Sequence, residues 1–198
     1  MFSRVSPYVA GFVGVDGGAD HLLKAGIAPE AVVGDLDSLS SRARATFSDR
    51  LFEVAEQSTT DFEKAVTRVE AKGLIAIGFT GGRIDHALSV LNVMARHRDR
   101  PIFLLDEADV SWVLSGADVA FDLPKGTRVS VMPLGQAQVT VTGLVWPFAD
   151  QAMSPDGFTS PSNAAIGGAV TVAADGPVLI TVPQAHLPDV VQAVVPAK

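Results

Sequence analysis

The chain of 198 residues contains no cysteine. That excludes disulfides, thiolate zinc sites and a cysteine nucleophile, and it fits a reducing compartment. Positive charge is also scarce: 15 Lys and Arg stand against 22 Asp and Glu, a formal net charge of −7. With a pI of 4.9, neither a broad nucleic-acid surface nor a polybasic membrane patch is expected. Hydrophobic residues make up 47% of the chain, yet no apolar run approaches the roughly 18 residues of a membrane span. Residues 9–15 are apolar but end in Asp16 and two glycines, which reads as a strand and loop rather than a signal peptide. No internal repeat or low-complexity tract is present. These absences predict a cytoplasmic protein with neither a nucleic-acid nor a membrane partner. The length allows one large domain or two small ones, and a chain of this size buries roughly 70% of its unfolded surface without staples.

The first half alternates short apolar runs with helical patterns. Strands are predicted at residues 12–15, 31–33, 51–54, 74–79 and 102–105. A short helix over 19–26 carries Leu22 and Leu23 inward. Thr60 with Glu63 fits a capping box. Beyond it Phe62, Ala65, Val66 and Val69 form an amphipathic stripe, with Gly73 as the stop. Ile84, Ala87, Leu88, Leu91 and Ala95 form the next stripe. Strands alternating with helices predict a mostly parallel, Rossmann-like α/β domain over residues 1–114. After about Ser115 the helical period fades. Strands at 127–134, 138–142, 169–173 and 178–182 predict an antiparallel all-β domain over 115–198. Asp175-Gly176 reads as a two-residue hairpin turn, and 147–168 as a long polar loop.

Four acidic, glycine-flanked motifs fall where the strand-end loops of the first domain should be. They are Asp16-Gly17-Gly18-Ala19-Asp20, Gly34-Asp35-Leu36-Asp37-Ser38, Ser58-Thr59-Thr60-Asp61 with Lys64, and Gly81-Gly82-Arg83-Ile84-Asp85-His86. Ligands of open parallel sheets bind outside the carboxyl ends of the strands. Asp35 and Asp37 are two apart, so in extended backbone both point to one side. Two close carboxylates repel, and a magnesium ion bridging to phosphates removes the conflict. Asp61 lies in the first turn of its helix, where anions are favoured. Lys64 is one turn on, within reach of a phosphate. Gly81-Gly82 lets backbone approach a ligand, and Arg83 suits bidentate phosphate binding. Each motif taken alone has a plainer reading: a solvated turn at Asp35-Asp37, a helix start at Asp61, a tight strand-to-helix turn at Gly81-Gly82. The combination, in this order, points to a metal-assisted phosphate site.

These four motifs, with Gly143-Leu144-Val145-Trp146-Pro147 and Ser162-Asn163 in the second half, resemble the thiamine pyrophosphokinase family over nearly the whole chain. The resemblance implies a Rossmann-like α/β kinase domain joined to a β-sandwich. It implies an enzyme that passes the terminal diphosphate of ATP to the thiamine hydroxyl, leaving AMP, and a homodimer with sites at the subunit interface. Carried onto this sequence, Asp35, Asp37 and Asp61 hold Mg2+ and the phosphates. Asp16, Gly17, Gly18, Ser38, Thr60, Lys64, Gly82 and Arg83 contact ATP. Asp85 lies against the reacting thiamine or the nucleotide, and Ser162 and Asn163 help form the thiamine pocket. Asp85 and Asp61 are the carboxylates available to accept the hydroxyl proton. Two departures stand out. Only 15 residues precede Asp16, without the extra strand and glycine-containing loop that the family pattern places there, so the first strand of that pattern is expected to be missing or atypical. The acidic residue that precedes Ser-Thr-Asp in the family has no counterpart at Gln57 or Ser58, and Glu56 is the nearest residue able to compensate. Two rival functions remain open. One is another magnesium-dependent nucleotide transferase or phosphohydrolase. The other is a thiamine- or nucleotide-binding protein without turnover.

Overall fold

The computed structural model describes residues 1–195. The chain divides into two compact units, one of residues Met1–Glu70 and one that begins at Ala71.

The first unit opens with a short helix, α1 (Phe2–Val5), and then alternates strands and helices. These are β1 (Val13–Val15), α2 (Gly18–Lys24), β2 (Ala31–Gly34), α3 (Ser41–Thr46), β3 (Leu51–Glu53) and α4 (Asp61–Arg68). The strands form a parallel sheet in the order β1-β2-β3, with Val13 opposite Ala31 and Val32 opposite Leu51. Its core is Ala19, Val32, Leu36, Leu39, Ala43 and Phe47, with Leu23 and Leu51 packed against it. Helix α3 was not foreseen from its sequence. Ser40 starts it, accepting the Ala43 N–H at 3.1 Å, and Ser40 donates both its hydroxyl and its N–H to Asp20. One acidic side chain of α2 thereby fixes the entry of α3. Helix α4 begins where the capping pattern predicts, with the Thr60 hydroxyl accepting the Glu63 N–H at 3.3 Å. It stops at Arg68 rather than at Gly73. Residues 70–72 are exposed, so no buried stripe holds a further turn in place.

The second unit starts as a parallel βαβ unit: β4 (Leu74–Ile77), α5 (Ile84–Arg96) and β5 (Ile102–Leu105). Thereafter come β6 (Asp109–Leu114), β7 (Ala117–Leu123), β8 (Arg128–Pro133), β9 (Ala137–Thr142) and β10 (Phe148–Met153). The chain then runs through β11 (Ser160–Ala164), β12 (Gly168–Asp175), β13 (Val178–Pro183) and the helix α6 (Leu187–Val194). One sheet has the order β11-β8-β13-β6-β5-β4, the other β10-β9-β12-β7. Inward residues alternate along β6, β7, β9, β12 and β13, the pattern of two sheets burying one face each. Trp112 bridges the layers, 6.4 Å from Phe103 and 5.7 Å from Phe121 between ring centroids. The expected fold class, an α/β arrangement with parallel strands plus an antiparallel β-sandwich, is the one observed.

Antiparallel pairing begins at Asp109, where Asp106 reverses the chain by accepting the Ala108 and Asp109 N–H groups, each at 2.8 Å. Three expectations for this unit are corrected. The stretch 147–168 is not one loop but contains β10 and β11. Each pairs with an interrupted register, which hides the period-2 pattern. Asp175-Gly176 is not a hairpin turn, since β12 pairs with β7 and β9 while β13 pairs with β6 and β8. The turn carries the chain from one sheet to the other. Helix α5 buries Val90, Val93 and Met94, and leaves Ile84 and Leu88 73% and 58% exposed. Two apolar stripes run along this helix, and spacing alone does not choose between them.

Candidate active site

In the first unit the acidic loops close on one another at the carboxyl ends of β1 and β2. Asp16 follows β1 directly and has φ +46°. Leu36, between Asp35 and Asp37, has φ +63°. Non-glycine residues in this region are strained, and Leu36 is held there by burial in the core at 1% exposure. The side-by-side carboxylates therefore do not come from extended backbone, as the two-residue spacing implied. They come from a left-handed turn whose apolar centre is anchored and whose acidic flanks face out. Arg44 fixes the turn by donating to the Leu36 carbonyl at 2.7 Å. The Asp37 N–H donates to Asp35 Oδ1 at 3.3 Å. Gly34 sets the approach of the two loops: a Cβ there would lie 3.0 Å from the Asp16 Cβ.

One carboxylate oxygen each of Asp16, Asp35 and Asp37 lies within 4.8 Å of the other two. Ser38 donates its hydroxyl to Asp16 Oδ2 and accepts the Gly17 N–H at 3.1 Å. Asp16 Oδ1 is buried without a hydrogen-bond partner. Lys64, only 1% exposed, places its ammonium 2.9 Å from Asp61 and 3.8 Å from Asp35. Burial alone lowers its pKa, but the Asp61 hydrogen bond and the charges of Asp61, Asp35 and Glu56 hold it above the ordinary lysine range. Asp35 is held below the usual carboxylate range by the Gln57 amide, donating at 3.1 Å, and by the Asp37 N–H. Asp37 is pushed up, first by the charge of Asp35 and then by burial and the charge of Asp16. A neighbouring pair shifted in opposite directions is what an excess of negative charge produces. Glu56 shapes the next loop, accepting from the hydroxyls and N–H groups of Ser58 and Thr59, and these donors hold it at about 2.

In the second unit Gly81 and Gly82 take φ +86° and +64°, so their left-handed turn is one that glycine makes without strain. Arg83 and Asp85 meet each other, with Nη2 to Oδ2 at 2.5 Å and Nε to Oδ1 at 3.1 Å. Both are exposed. The hydrogen bond and charge of Arg83 lower the Asp85 pKa. Ser162 also has a left-handed φ, +62°, inside the irregular stretch where the β11–β8 register shifts. Bulges of this kind re-aim side chains next to sites. Asn163 is 2% exposed. Its Nδ2 donates to the Trp146 carbonyl at 2.8 Å, and its Oδ1 accepts the N–H groups of Trp146 at 3.2 Å and Ala164 at 2.9 Å. The amide thus clamps the backbone of a tryptophan whose ring is left out in solvent, the residue being 63% exposed. Residues 8–104 match the family model described as thiamin pyrophosphokinase, catalytic domain, and residues 117–179 the one described as thiamin pyrophosphokinase, vitamin B1 binding domain.

The chain belongs to the thiamine pyrophosphokinase family. Thiamine pyrophosphokinase 1 of Oryza sativa subsp. japonica is 26% identical over 174 residues, covering 78% of this chain and 66% of the rice protein. The chain thus spans just under two thirds of that relative's length. A crystal structure of the thiamin pyrophosphokinase of Geobacillus thermodenitrificans superposes with TM-score 0.77 at 26% identity, covering 92% of this chain and 89% of that one. The thiamin pyrophosphokinase of Candida albicans shares the fold with TM-score 0.80 at 14% identity, over 92% of this chain and 85% of its own. Against this background the geometry brings Asp16, Gly17, Asp35, Asp37, Ser38, Asp61 and Lys64 together in the first unit. In the second unit it joins Arg83 to Asp85, and Ser162 and Asn163 to one bulged strand. Two features escaped the sequence reading. Trp146 stood in a quoted motif without a role, and its signal is a tryptophan left exposed beside a buried asparagine. The unpartnered oxygen of Asp16 has no signature in sequence.

Proposed function

We propose that this chain transfers diphosphate from ATP to the hydroxyl of thiamine, giving thiamine diphosphate and AMP. The observation that carries the reading is the convergence of Asp16, Asp35 and Asp37 at strand ends in a chain of this family. The orphaned, buried Oδ1 of Asp16 and the raised pKa of Asp37 both fit a divalent cation with oxygen ligands. Asp35 and Asp37 hold it, with Asp61 close by through Lys64. When bound, magnesium would offset the negative charge of the phosphates. Lys64 is a fixed positive charge behind the carboxylates. Gly17, Gly18, Ser38, Thr60, Gly82 and Arg83 supply donors to ATP, for which Arg83 exchanges its exposed partner Asp85. The thiamine hydroxyl oxygen attacks the β-phosphorus, and the bond from that phosphorus to the oxygen bridging to the α-phosphorus breaks. AMP leaves with the bridging oxygen. Asp61 and Asp85 are the two carboxylates that can take the hydroxyl proton.

The thiamine side belongs to the second unit. Trp146 presents an exposed indole, on a backbone clamped by Asn163, suited to stacking an aromatic cation, and Ser162 precedes Asn163 on the same strand. We place the complete site across a homodimer, the acidic loops of one subunit facing the Ser162-Asn163 strand of the other, in the cytoplasm. Residues 1–114 supply the phosphate chemistry in this reading and 115–198 the thiamine pocket. Incubation with thiamine, ATP and magnesium should yield AMP and thiamine diphosphate in equal amounts. ADP would point to an ordinary kinase, free phosphate to a phosphohydrolase, and binding without turnover to a carrier.

A further inference from the structure

We propose that Ser130 is a positioning residue of the thiamine side, holding Ser162 in place through its backbone. The proposal rests on the reading of Ser162 as part of the thiamine pocket. Ser130 lies in β8 between Val129 and Val131, both fully buried, and is itself 8% exposed. A hydroxyl out of water needs a partner, and the register of the neighbouring strand supplies one. Ser160 stands opposite Val131 and Asn163 opposite Val129. Two residues, Pro161 and Ser162, therefore face the single residue Ser130. Such a bulge leaves its extra residue outside the ladder. Pro161 has no N–H to lose, and the N–H of Ser162 donates to the Ser130 Oγ at 3.1 Å. On the other side of β8 the hydroxyl of Thr181, opposite Ser130, is bonded to that of Ser111 at 2.7 Å.

The bond bears on a conformation that serine does not keep unaided. Ser162 is exposed and has φ +62°, and a left-handed residue other than glycine persists only where its surroundings hold it. Asn163 holds the C-terminal side. Its side-chain amide is bonded to the backbone of Trp146 and Ala164, so the strand beyond Ser162 is fixed. Ser130 holds the N-terminal side by taking the Ser162 N–H. The two restraints together set the backbone from which the Ser162 hydroxyl projects. Alanine would pack equally well between Val129 and Val131, so the hydroxyl of Ser130 is explained by the bulge and not by the core. Ser130 touches no ligand in this reading and acts through Ser162.

Steady-state kinetics and nuclear magnetic resonance on the full chain test this. A strong nuclear Overhauser signal between a residue's own amide and α protons marks a positive φ, and in Ser130→Ala that signal of Ser162 should weaken. The KM for thiamine should rise by about threefold to tenfold, the scale of one lost hydrogen bond, while kcat and the KM for ATP stay within about twofold of wild type. A merely structural role would lower the amount of active protein and leave both KM values alone. Ser130→Cys keeps the size but accepts poorly, and it carries the test with the same readouts if Ser130→Ala fails to fold by circular dichroism. An unchanged Ser162 signal, an unmoved KM for thiamine, or an equal rise in the KM for ATP overturns the proposal. AMP formation by the wild-type chain together with any of these refutes Ser130 alone. A wild-type chain that makes no AMP, yet whose Ser162 signal depends on Ser130, refutes the activity and upholds the hold of Ser130 on Ser162.

Discussion

The two compact units hold their special residues in opposite ways. In the first, charge is crowded on loops: Asp16, Asp35 and Asp37 share a small space, and one lysine balances part of it. In the second, the comparable strained position, Ser162, stands beside a neutral and fully bonded asparagine inside a sheet. The first arrangement sets like charges side by side, which raises the pKa of Asp37. The second contributes stability whether or not a ligand is present. The loops of the first unit thus leave like charges facing one another, whereas the buried amide closes its polar atoms on backbone.

Substitutions should separate these roles. The largest effect belongs to Asp37→Asn, which should slow turnover by at least about a hundredfold, the scale of losing one preorganised electrostatic contact. The same change should not lower the thermal midpoint of the metal-free protein. The folded pKa of Asp37 is raised, so the folded state binds protons better there than the unfolded chain does. Stability tied to that proton is present at low pH and lost as pH rises through the raised pKa. Asparagine removes this dependence, and a metal-free protein that melts much earlier as Asp37→Asn would erase the contrast between the units.

Asn163→Ala should do the reverse. It leaves the Trp146 and Ala164 backbone groups without partners and should destabilise the fold by about 1–3 kcal/mol. In steady-state assays the KM for thiamine should rise more than that for ATP. Mixing this variant with Asp37→Asn tests the shared site: if each site draws on both chains, mixed dimers recover activity. Subunits that exchange and stay inactive would break the two-chain reading. Lys64→Met comes next, with a loss of about 1–3 kcal/mol in chemical denaturation. That is below the usual cost of breaking a buried pair, because Asp61 and Asp35 stay partly exposed.

Smaller effects sharpen the second side of the comparison. The Trp112 Nε1 is buried without an acceptor. Trp112→Phe removes that unmet donor while opening a modest void, and the two terms should leave stability within about 1 kcal/mol of wild type. A loss several times larger would show that the indole N–H has a partner in solution. Least in scale is Glu56. With its pKa lowered to about 2, it contributes stability that is present above the ordinary glutamate range and lost as pH falls toward about 2. Its carboxyl carbon, followed by nuclear magnetic resonance, should titrate there, and in Ser58→Ala it should titrate higher.

The chemistry of the site was more legible than its geometry. Asp35, Asp37, Asp61 and Lys64 announce themselves by charge and by place after apolar runs, and Thr60 by its capping pattern. What spacing could not reveal is the handedness of the turn. Leucine seldom takes a positive φ, and Leu36 does so because its side chain is trapped in the core, a non-local cause. The register shift near Ser162 likewise breaks the alternation by which strands are read, so β10 and β11 passed for loop. The βαβ alternation was visible except at α3, whose start is fixed by Asp20 of another helix. Its division among sheets was not, because Asp175-Gly176 looks the same locally whether the chain returns along its neighbour or crosses to another layer.

That crossing bears on how the protein is made. Strand β13 lies between β8 and β6, with Val178 opposite both Leu114 and Pro133. The middle of the larger sheet thus arrives last from the ribosome. Until it does, β6 and β8 each present an open edge, and the half-built layer is vulnerable to pairing with other chains. The parallel sheet of the first unit draws only on residues up to Glu53 and has no such wait. Synthesis should therefore expose an aggregation-prone interval late in translation, and premature termination shortly before Val178 should be far more damaging to solubility than its distance from the acidic loops would imply.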